Sequence, residues 1–356
     1  MLHRAEMLAH CAAGARLLAV AGTSGKTTTT AMLGWILTEA GLDPTVVNGG
    51  AVTAWRGADR TGSVRRGPSD LWVVEVDESD RSLLRFTPEW AVITNISRDH
   101  FPLPETIRLF QDFAARVRRE IVCFPDAADL LALPPDRVVT AEDEAGVFAG
   151  PAGDELRIAG ETVRVPLPGR HNLENAALAA RLALRVGAAP AAVRTALARF
   201  PGVARRLEMV APPARGVRVL DDYGHNPAKI SAAWRAAAAD ARRVLGVWRP
   251  HGFRPLAEMM DDLADAFAAV CRPEDELFLL PVFFAGGTVV RSADSGELAE
   301  RLRARGARAR TVAGYDELRK ALLDALRPGD TALIMGARDP ELPRFARALA
   351  ADWAAR

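Results

Sequence analysis

Lysine is nearly absent from this chain of 356 residues: Lys26, Lys229 and Lys320 are its only three, and arginine supplies almost all of the 46 positive charges. Neither sign of charge dominates. The 45 acidic residues nearly cancel the basic ones, which leaves no electrostatic case for binding nucleic acid or an anionic membrane. Cysteine is scarce too, with Cys11, Cys123 and Cys271 far apart and odd in number. That pattern offers no disulfide framework and no paired-thiol metal site, and it fits a reducing, cytoplasmic compartment with the thiols as small apolar groups. No uncharged apolar run approaches the ~18 residues of a membrane span. The opening Met1-Leu2-His3-Arg4-Ala5-Glu6 carries an early acid and no long apolar stretch, and is a poor signal peptide.

What the chain does have is 49% hydrophobic residues and enough length for two domains with cores of their own. Short apolar runs alternate with helical patterns. Strands are expected at Leu17–Ala21, Thr45–Asn48, Leu71–Val76, Ala91–Asn95 and Ile121–Phe124, their continuous apolar character suiting a parallel sheet covered on both faces. Helices are expected at 26–40, 105–118, 172–186 and 191–198. Between 136 and 168 the pattern shifts to short strands with Gly, Pro and Asp turns, an antiparallel patch. A second alternation begins near Gly216, with strands at 218–221, 243–247, 276–282, 308–312 and 331–335 and helices at 227–239, 256–270, 296–305 and 316–326. The fold class is therefore α/β: a P-loop-type domain over 1–204 with a mostly parallel sheet, then a Rossmann-like α/β domain over 205–356. The stretch Phe200–Ala204 is the natural boundary.

Three segments carry chemistry in the first domain. Gly22-Thr23-Ser24-Gly25-Lys26-Thr27 follows a strand and opens a helix. Backbone N–H groups of such a turn surround phosphate oxygens, Lys26 neutralises them, and the Thr27 hydroxyl serves Mg²⁺. Thr28 extends this set. The general Walker pattern wants glycine at position 20, where Val20 stands; the plain alternative is a capped helix start. The run Thr28-Thr29-Thr30 forms helix poorly by itself, so packing or a ligand must hold it there. Glu75-Val76-Asp77-Glu78-Ser79-Asp80 ends an apolar strand. Four acids this close cannot all be buried unpaired, and Mg²⁺ is the economical partner; a solvated acidic turn is the alternative. Thr94-Asn95-Ile96-Ser97-Arg98-Asp99-His100 closes the next strand, which makes His100 a candidate metal ligand.

GTSGKTTTT, EVDESD, TNISRDH, PGRHNLENA and DDYGHNP, in that order from about Leu17 to Ala337, resemble the Mur ligase family. The likeness is strongest to its branch that adds L-alanine to UDP-N-acetylmuramate. It implies ATP-dependent joining of a carboxylate to an amine through an acyl phosphate, with release of ADP and phosphate. By the same resemblance Lys26 serves the phosphates, Thr27 and Glu75 one Mg²⁺ and His100 a second. Asn172 and Asn175 match the adenine contacts, Asp222 the ribose contact, and Arg206 a guanidinium reaching over the phosphates. Some relatives use a carbamylated lysine; the first domain's only lysine is Lys26. The family's N-terminal UDP-binding domain is not expected, since some 16 residues precede the first strand.

Departures fall on the substrate side. In Trp248-Arg249-Pro250-His251-Gly252-Phe253-Arg254-Pro255, Gly252 and Pro255 stand where the resemblance expects arginines for the incoming amino acid, and Asn226 replaces a second histidine. Tyr223, His225, Asn226, Arg249, His251, Arg254 and Arg338 form the candidate substrate set, and His225 joins Lys26, Glu75, His100 and Arg206 in the candidate catalytic set. The alternative for Arg249, His251 and Arg254 is a solvated loop. Three functions remain open: a ligase whose acid is not UDP-linked, a muramate–amino acid ligase of cell-wall precursors, or an ATP-binding subunit working with a protein partner. Small-molecule acid and amine are the expected partners.

Overall fold

The computed structural model describes residues 3–98, 100–140, 147–149 (backbone only), 156–284, 286 and 293–356. Contacts divide the chain into two compact units, Met1–Val203 and Ala204–Arg356.

The first unit runs α1 (Arg4–Cys11), β1 (Arg16–Ala21), α2 (Lys26–Glu39), β2 (Thr45–Val47), β3 (Val64–Arg65), β4 (Leu71–Glu75), β5 (Trp90–Ile93), α3 (Leu103–Ala114), β6 (Ile121–Cys123), α4 (Pro125–Leu131), β7 (Val138–Thr140), β8 (Val147–Ala149), β9 (Leu156–Ile158), β10 (Glu161–Val163), α5 (Arg170–Arg185) and α6 (Pro190–Ala198). Seven strands form one sheet in the order β3-β2-β4-β1-β5-β6-β7. All its pairings are parallel except that of the edge strand β3. Successive side chains of β1 point to opposite faces. Leu18 and Val20 join a core with α2, α5 and α6, while Leu17, Ala19 and Ala21 join one with α1, α3 and α4. The threonine run lies in the first two turns of α2, where Thr27 to Thr30 are all buried, so packing overrides propensity as expected. Strands β8 to β10 make the expected antiparallel patch. Val138–Thr140 departs from that expectation: it pairs in parallel with β6, because α4 supplies the crossover.

The chain leaves β1 toward β2 on one side, then crosses from β4 over β1 to β5 on the other. The carboxyl ends of β4, β1 and β5 therefore lie side by side where the strand order reverses. That is the place at which open α/β sheets bind ligands.

The second unit runs β11 (Glu208–Met209), β12 (Arg218–Asp222), α7 (Pro227–Ala238), β13 (Arg243–Trp248), α8 (Phe253–Glu258), α9 (Met260–Val270), β14 (Glu276–Leu279), α10 (Ser295–Ala304), β15 (Ala309–Thr311), α11 (Tyr315–Ala325), β16 (Asp330–Met335) and α12 (Glu341–Ala355). Its sheet has the order β11-β12-β16-β13-β14-β15, parallel but for β11. Helices α7, α9 and α10 cover one face and α11 and α12 the other. The helix expected over 256–270 is two, because Met259 leaves helical geometry at φ −110° and ψ 12°.

At the centre of this sheet Gly246 faces the fully buried Trp234, whose Nε1 donates to Asp275 at 3.1 Å. A Cβ on Gly246 would lie 2.2 Å from the indole. Gly246→Ala is expected to lower unfolding free energy by about 1–3 kcal/mol. Denaturant titration checks this, and an unchanged midpoint would show that Trp234 can move aside.

Candidate active site

The loop between β1 and α2 needs its glycines. Gly22 has φ 130°, and a Cβ there would sit 2.0 Å from Thr94 Oγ1; Gly25 has φ 85°, and its Cβ would sit 2.4 Å from Asn175 Oδ1. The end of β5 ties the loop down from behind. Asn95 O accepts from Thr23 N at 3.0 Å, and Asn95 Oδ1 accepts from Ser24 N at 3.1 Å. Ser24 O in turn accepts from Thr94 Oγ1 at 2.6 Å and Asn95 Nδ2 at 2.9 Å. The loop so fixed delivers the chain into α2, whose first turn carries no acid. A helix N-terminus of this kind favours an anion.

The acids after β4 flank that helix start. Glu75 Oε1 accepts from Thr27 Oγ1 at 2.9 Å and its Oε2 from Gly49 N at 2.6 Å. Glu78 Oε2 accepts from Lys26 Nζ at 2.6 Å. Asp77 Oδ1 accepts from Ser79 N at 3.1 Å and Asp80 Oδ1 from Ser82 N at 2.9 Å. Burial pushes the Asp77 carboxyl up, but the Ser79 N–H and the Lys26 charge outweigh it and leave it below its usual value. Burial wins at Glu78, which is raised against the opposing pull of Lys26. All four acids thus have protein partners, and the argument that a metal is needed to satisfy them does not hold.

What remains for a metal is Thr27 beside Glu75. Among the described residues no cluster of three or more His, Cys, Asp or Glu could hold an ion. A hydroxyl with one carboxylate nonetheless suits Mg²⁺, which keeps most of its waters and shares substrate phosphates. His100 is exposed in the segment after β5. Asn172 and Asn175 are buried on α5; Asn172 Nδ2 donates to Pro168 O at 2.7 Å and Asn175 Oδ1 accepts from Thr29 Oγ1 at 3.1 Å. Asn175 therefore also shapes the loop, by standing against Gly25.

In the second unit the carboxyl ends of β12, β16 and β13 gather most of the remaining candidates. Asp222 is buried and accepts from Leu207 N at 2.9 Å and Gly224 N at 2.7 Å; burial raises its carboxyl. The Arg206 guanidinium lies 5.3 Å from the Tyr223 ring centre. Tyr223, His225 and His251 follow edge to face at 5.4 and 5.2 Å. His225 Nδ1 is 2.9 Å from Tyr223 O, and since a carbonyl only accepts, Nδ1 carries the proton. Burial lowers His251, and the Arg338 charge adds to it. Asn226 caps α7, its Oδ1 accepting from Lys229 N at 3.0 Å.

The candidate arginines separate. Arg249 is committed: it pairs with buried Asp339 and donates to Tyr315 Oη and Pro281 O, both at 3.2 Å. Arg254 is exposed and pairs with Glu258 at 2.7 Å on its own helix. Arg338 is exposed near His251. Four residues that no motif reading singled out belong to this end: Arg205, Asp221, Tyr315 and Asp339. Arg205 donates to Ala337 O at 2.8 Å and to Gly336 O, and its Nε lies 3.5 Å from Asp221 Oδ2. Asp221 is wholly buried, with no hydrogen bond to either oxygen among the described residues, and burial, opposed by Arg205, pushes it up to about 7. The doublets Arg205-Arg206 and Asp221-Asp222 were the available signal.

Comparison with known proteins finds a family match in each of the two units. Residues 20–107 match the Mur ligase middle domain, and residues 205–338 match the glutamate ligase domain of Mur ligases. The UDP-N-acetylmuramate–L-alanine ligase of Anaeromyxobacter dehalogenans is 37% identical, over 95% of this chain and 77% of the relative. That of a Synechococcus species is 34% identical, over 95% of this chain and 72% of the relative. The chain belongs to the Mur ligase family. Like other Mur ligases it is an ATP-dependent ligase that forms a C–N bond between an acid and an amino acid. Solved structures share the fold. The UDP-N-acetylmuramate–alanine ligase of Thermotoga maritima superposes with a TM-score of 0.76 at 24% identity, covering 98% of this chain and 78% of that one. A bifunctional folylpolyglutamate synthase/dihydrofolate synthase from Yersinia pestis, complexed with AMPPNP and Mn, gives 0.67 at 18%, covering 99% and 92%.

Two outcomes follow from the geometry of this Mur ligase. Gly25→Ala places a Cβ in a left-handed turn against Asn175, so stability is expected to fall by at least about 1 kcal/mol and ATP turnover about 100-fold. Turnover near the wild-type rate would mean the loop tolerates a shift. Asp221 titrates at about 7 in the folded chain against an ordinary 3.8, so it binds its proton more tightly folded than unfolded. Its contribution to stability is full below pH 3.8 and declines as pH rises to about 7. Asp221→Asn is expected to flatten that decline in unfolding free energy measured against pH; a slope equal to wild type would place the titration elsewhere.

Proposed function

We propose that this Mur ligase activates a muramyl carboxylate as an acyl phosphate and couples it to an amino acid, using ATP with Mg²⁺ at the carboxyl edge of the first sheet. The observation that carries the reading is the Thr27 hydroxyl 2.9 Å from the Glu75 carboxylate, at the first turn of a helix whose Lys26 ammonium stands beside it. Phosphoryl transfer asks little of a protein except position and charge, and these groups supply both. Lys26 draws charge from the transferring phosphate. Thr27 and Glu75 hold Mg²⁺, with His100 the candidate for a second ion, and the bound metal supplies charge neutralisation. Asn172 and Asn175 stand as the adenine contacts.

The acid is read from the two muramate ligases that share over a third of this sequence. The amine is read from the second unit, where Tyr223, His225 and His251 line up beside Arg338. One observation favours an amino-acid carboxylate held differently from the way the family resemblance implies. Gly252 and Pro255 replace expected arginines, and Arg249 and Arg254 already hold Asp339 and Glu258. Arg338 is then the guanidinium best placed to take an amino-acid carboxylate.

Phosphate release measured with UDP-N-acetylmuramate or N-acetylmuramate, each against a panel of amino acids, tests the proposal. Turnover that requires one acid and one amine is expected, and turnover indifferent to every acid and amine would refute ligation. Lys26→Ala is expected to cut turnover about 100- to 1,000-fold. The chain should still unfold cooperatively but with stability lower by a few kcal/mol, because Glu78 loses its partner. Near-normal turnover would remove Lys26 from the phosphate site.

A further inference from the structure

Glu78 has no part in the chemistry above, yet it is the most deeply buried of the acids after β4, at 2% exposure. Its Oε2 takes the 2.6 Å hydrogen bond from Lys26, while Oε1 is buried with no hydrogen-bond partner among the described residues. The Lys26 ammonium has three hydrogens to give. One goes to Glu78 and one to Gly22 O at 2.8 Å; among the described residues the third finds only Thr23 O at 3.5 Å and Asp77 at 3.9 Å. Two firm acceptors and two marginal ones leave one donor direction for a ligand.

Glu78 could compete with phosphate and release Lys26 on binding, or it could be a fixed support. Burial decides between them. Were Lys26 to leave, Glu78 would be a buried carboxylate with neither oxygen paired, and withdrawing one partner from a buried pair is strongly unfavourable. We infer that Glu78 is a positioning residue: with the Gly22 carbonyl it fixes the Lys26 ammonium and leaves its third hydrogen to a nucleotide phosphate. The inference rests on the nucleotide reading of this loop. It also implies a division of effects. With Glu78 balancing its charge, Lys26 adds little to ground-state affinity and acts in the transfer step, where charge on the phosphate moves.

The scarcity of lysine makes the ligand-free state readable. Lys26 is the first unit's only lysine, and Lys229 and Lys320 in the second serve as internal references. Amine acylation of the full-length protein without nucleotide, followed by mass spectrometry, compares wild type with Glu78→Gln. Labelling of Lys26 relative to Lys320 is expected to rise several-fold in the variant, because the ammonium is no longer held. In the same variant Mg²⁺–ADP should bind no more weakly than to wild type, while kcat falls at least about tenfold. An unchanged labelling ratio, or an unchanged kcat, would overturn the inference. A parallel loss of ADP affinity and kcat would do the same, by pointing to a loop that has merely come apart. Failure of the wild-type chain to bind Mg²⁺–ADP would instead sink the nucleotide reading, and the labelling ratio is read without nucleotide.

Discussion

Ser24 is held by its carbonyl and its amide to the end of the neighbouring strand, and the rest of the proposed nucleotide site depends on that attachment. A glycine-rich loop has little side-chain bulk with which to pack, and its glycines carry the highest conformational freedom of any residue. Left to itself it would not keep a fixed array of amides. Here Thr94 and Asn95 take up the loop's backbone groups from behind, and the absent Cβ atoms of Gly22 and Gly25 let Thr94 and Asn175 come within contact distance. The entry angle of α2 follows, and with it the places of Lys26 and Thr27. Sheet topology makes the arrangement available, since β4 and β5 flank β1 and bring their carboxyl ends to either side of the loop.

The same economy runs through the charges. Three cations near the carboxyl edges of the two sheets are each placed by a carboxylate and by a carbonyl. Lys26 sits between Glu78 and a loop carbonyl, Arg249 between Asp339, Tyr315 and Pro281 O, and Arg205 between Asp221 and the carbonyls after β16. Such pairs add little net stability, because desolvation offsets attraction. Their effect is geometric: each fixes a guanidinium or ammonium that would otherwise have a choice of rotamers. Arg206, between Arg205 and Leu207, both at positive φ, is set over Tyr223 by its neighbours' contacts.

Much of this was legible in the sequence wherever the determinant is local. The strand, glycine loop and helix start of residues 16–27 follow from an apolar run and glycine spacing, whereas α2 is buried nearly all round and shows no apolar stripe. The helix stripe of α12, Leu342, Phe345, Ala346, Leu349, Ala350 and Trp353, is a plain three-and-four spacing that a fuller reading would take. The seven residues of α4 are too few to show a period. Illegible parts were those decided by distant pairing. Asp77 and Asp80 cap amides two residues on, a local habit of aspartate, but the Lys26–Glu78 contact spans 52 positions. Its existence is why the acidic segment pointed to a metal more strongly than the structure does. Arg249 and Arg254 look alike in sequence; only the buried Asp339 separates a committed arginine from an exposed one.

The proposed function stands on one loop, fixed from behind, that would receive the nucleotide's phosphates, with Thr27 and Glu75 the side chains that would hold its metal. A crystal structure of the full chain with a non-hydrolysable ATP analogue and Mn²⁺ tests it most directly. The account predicts phosphate density against the amides of residues 22–27, anomalous signal bridging Thr27 Oγ1 and Glu75, and Lys26 still bonded to Glu78. Phosphates bound elsewhere, or a metal with neither Thr27 nor Glu75 among its ligands, would contradict it.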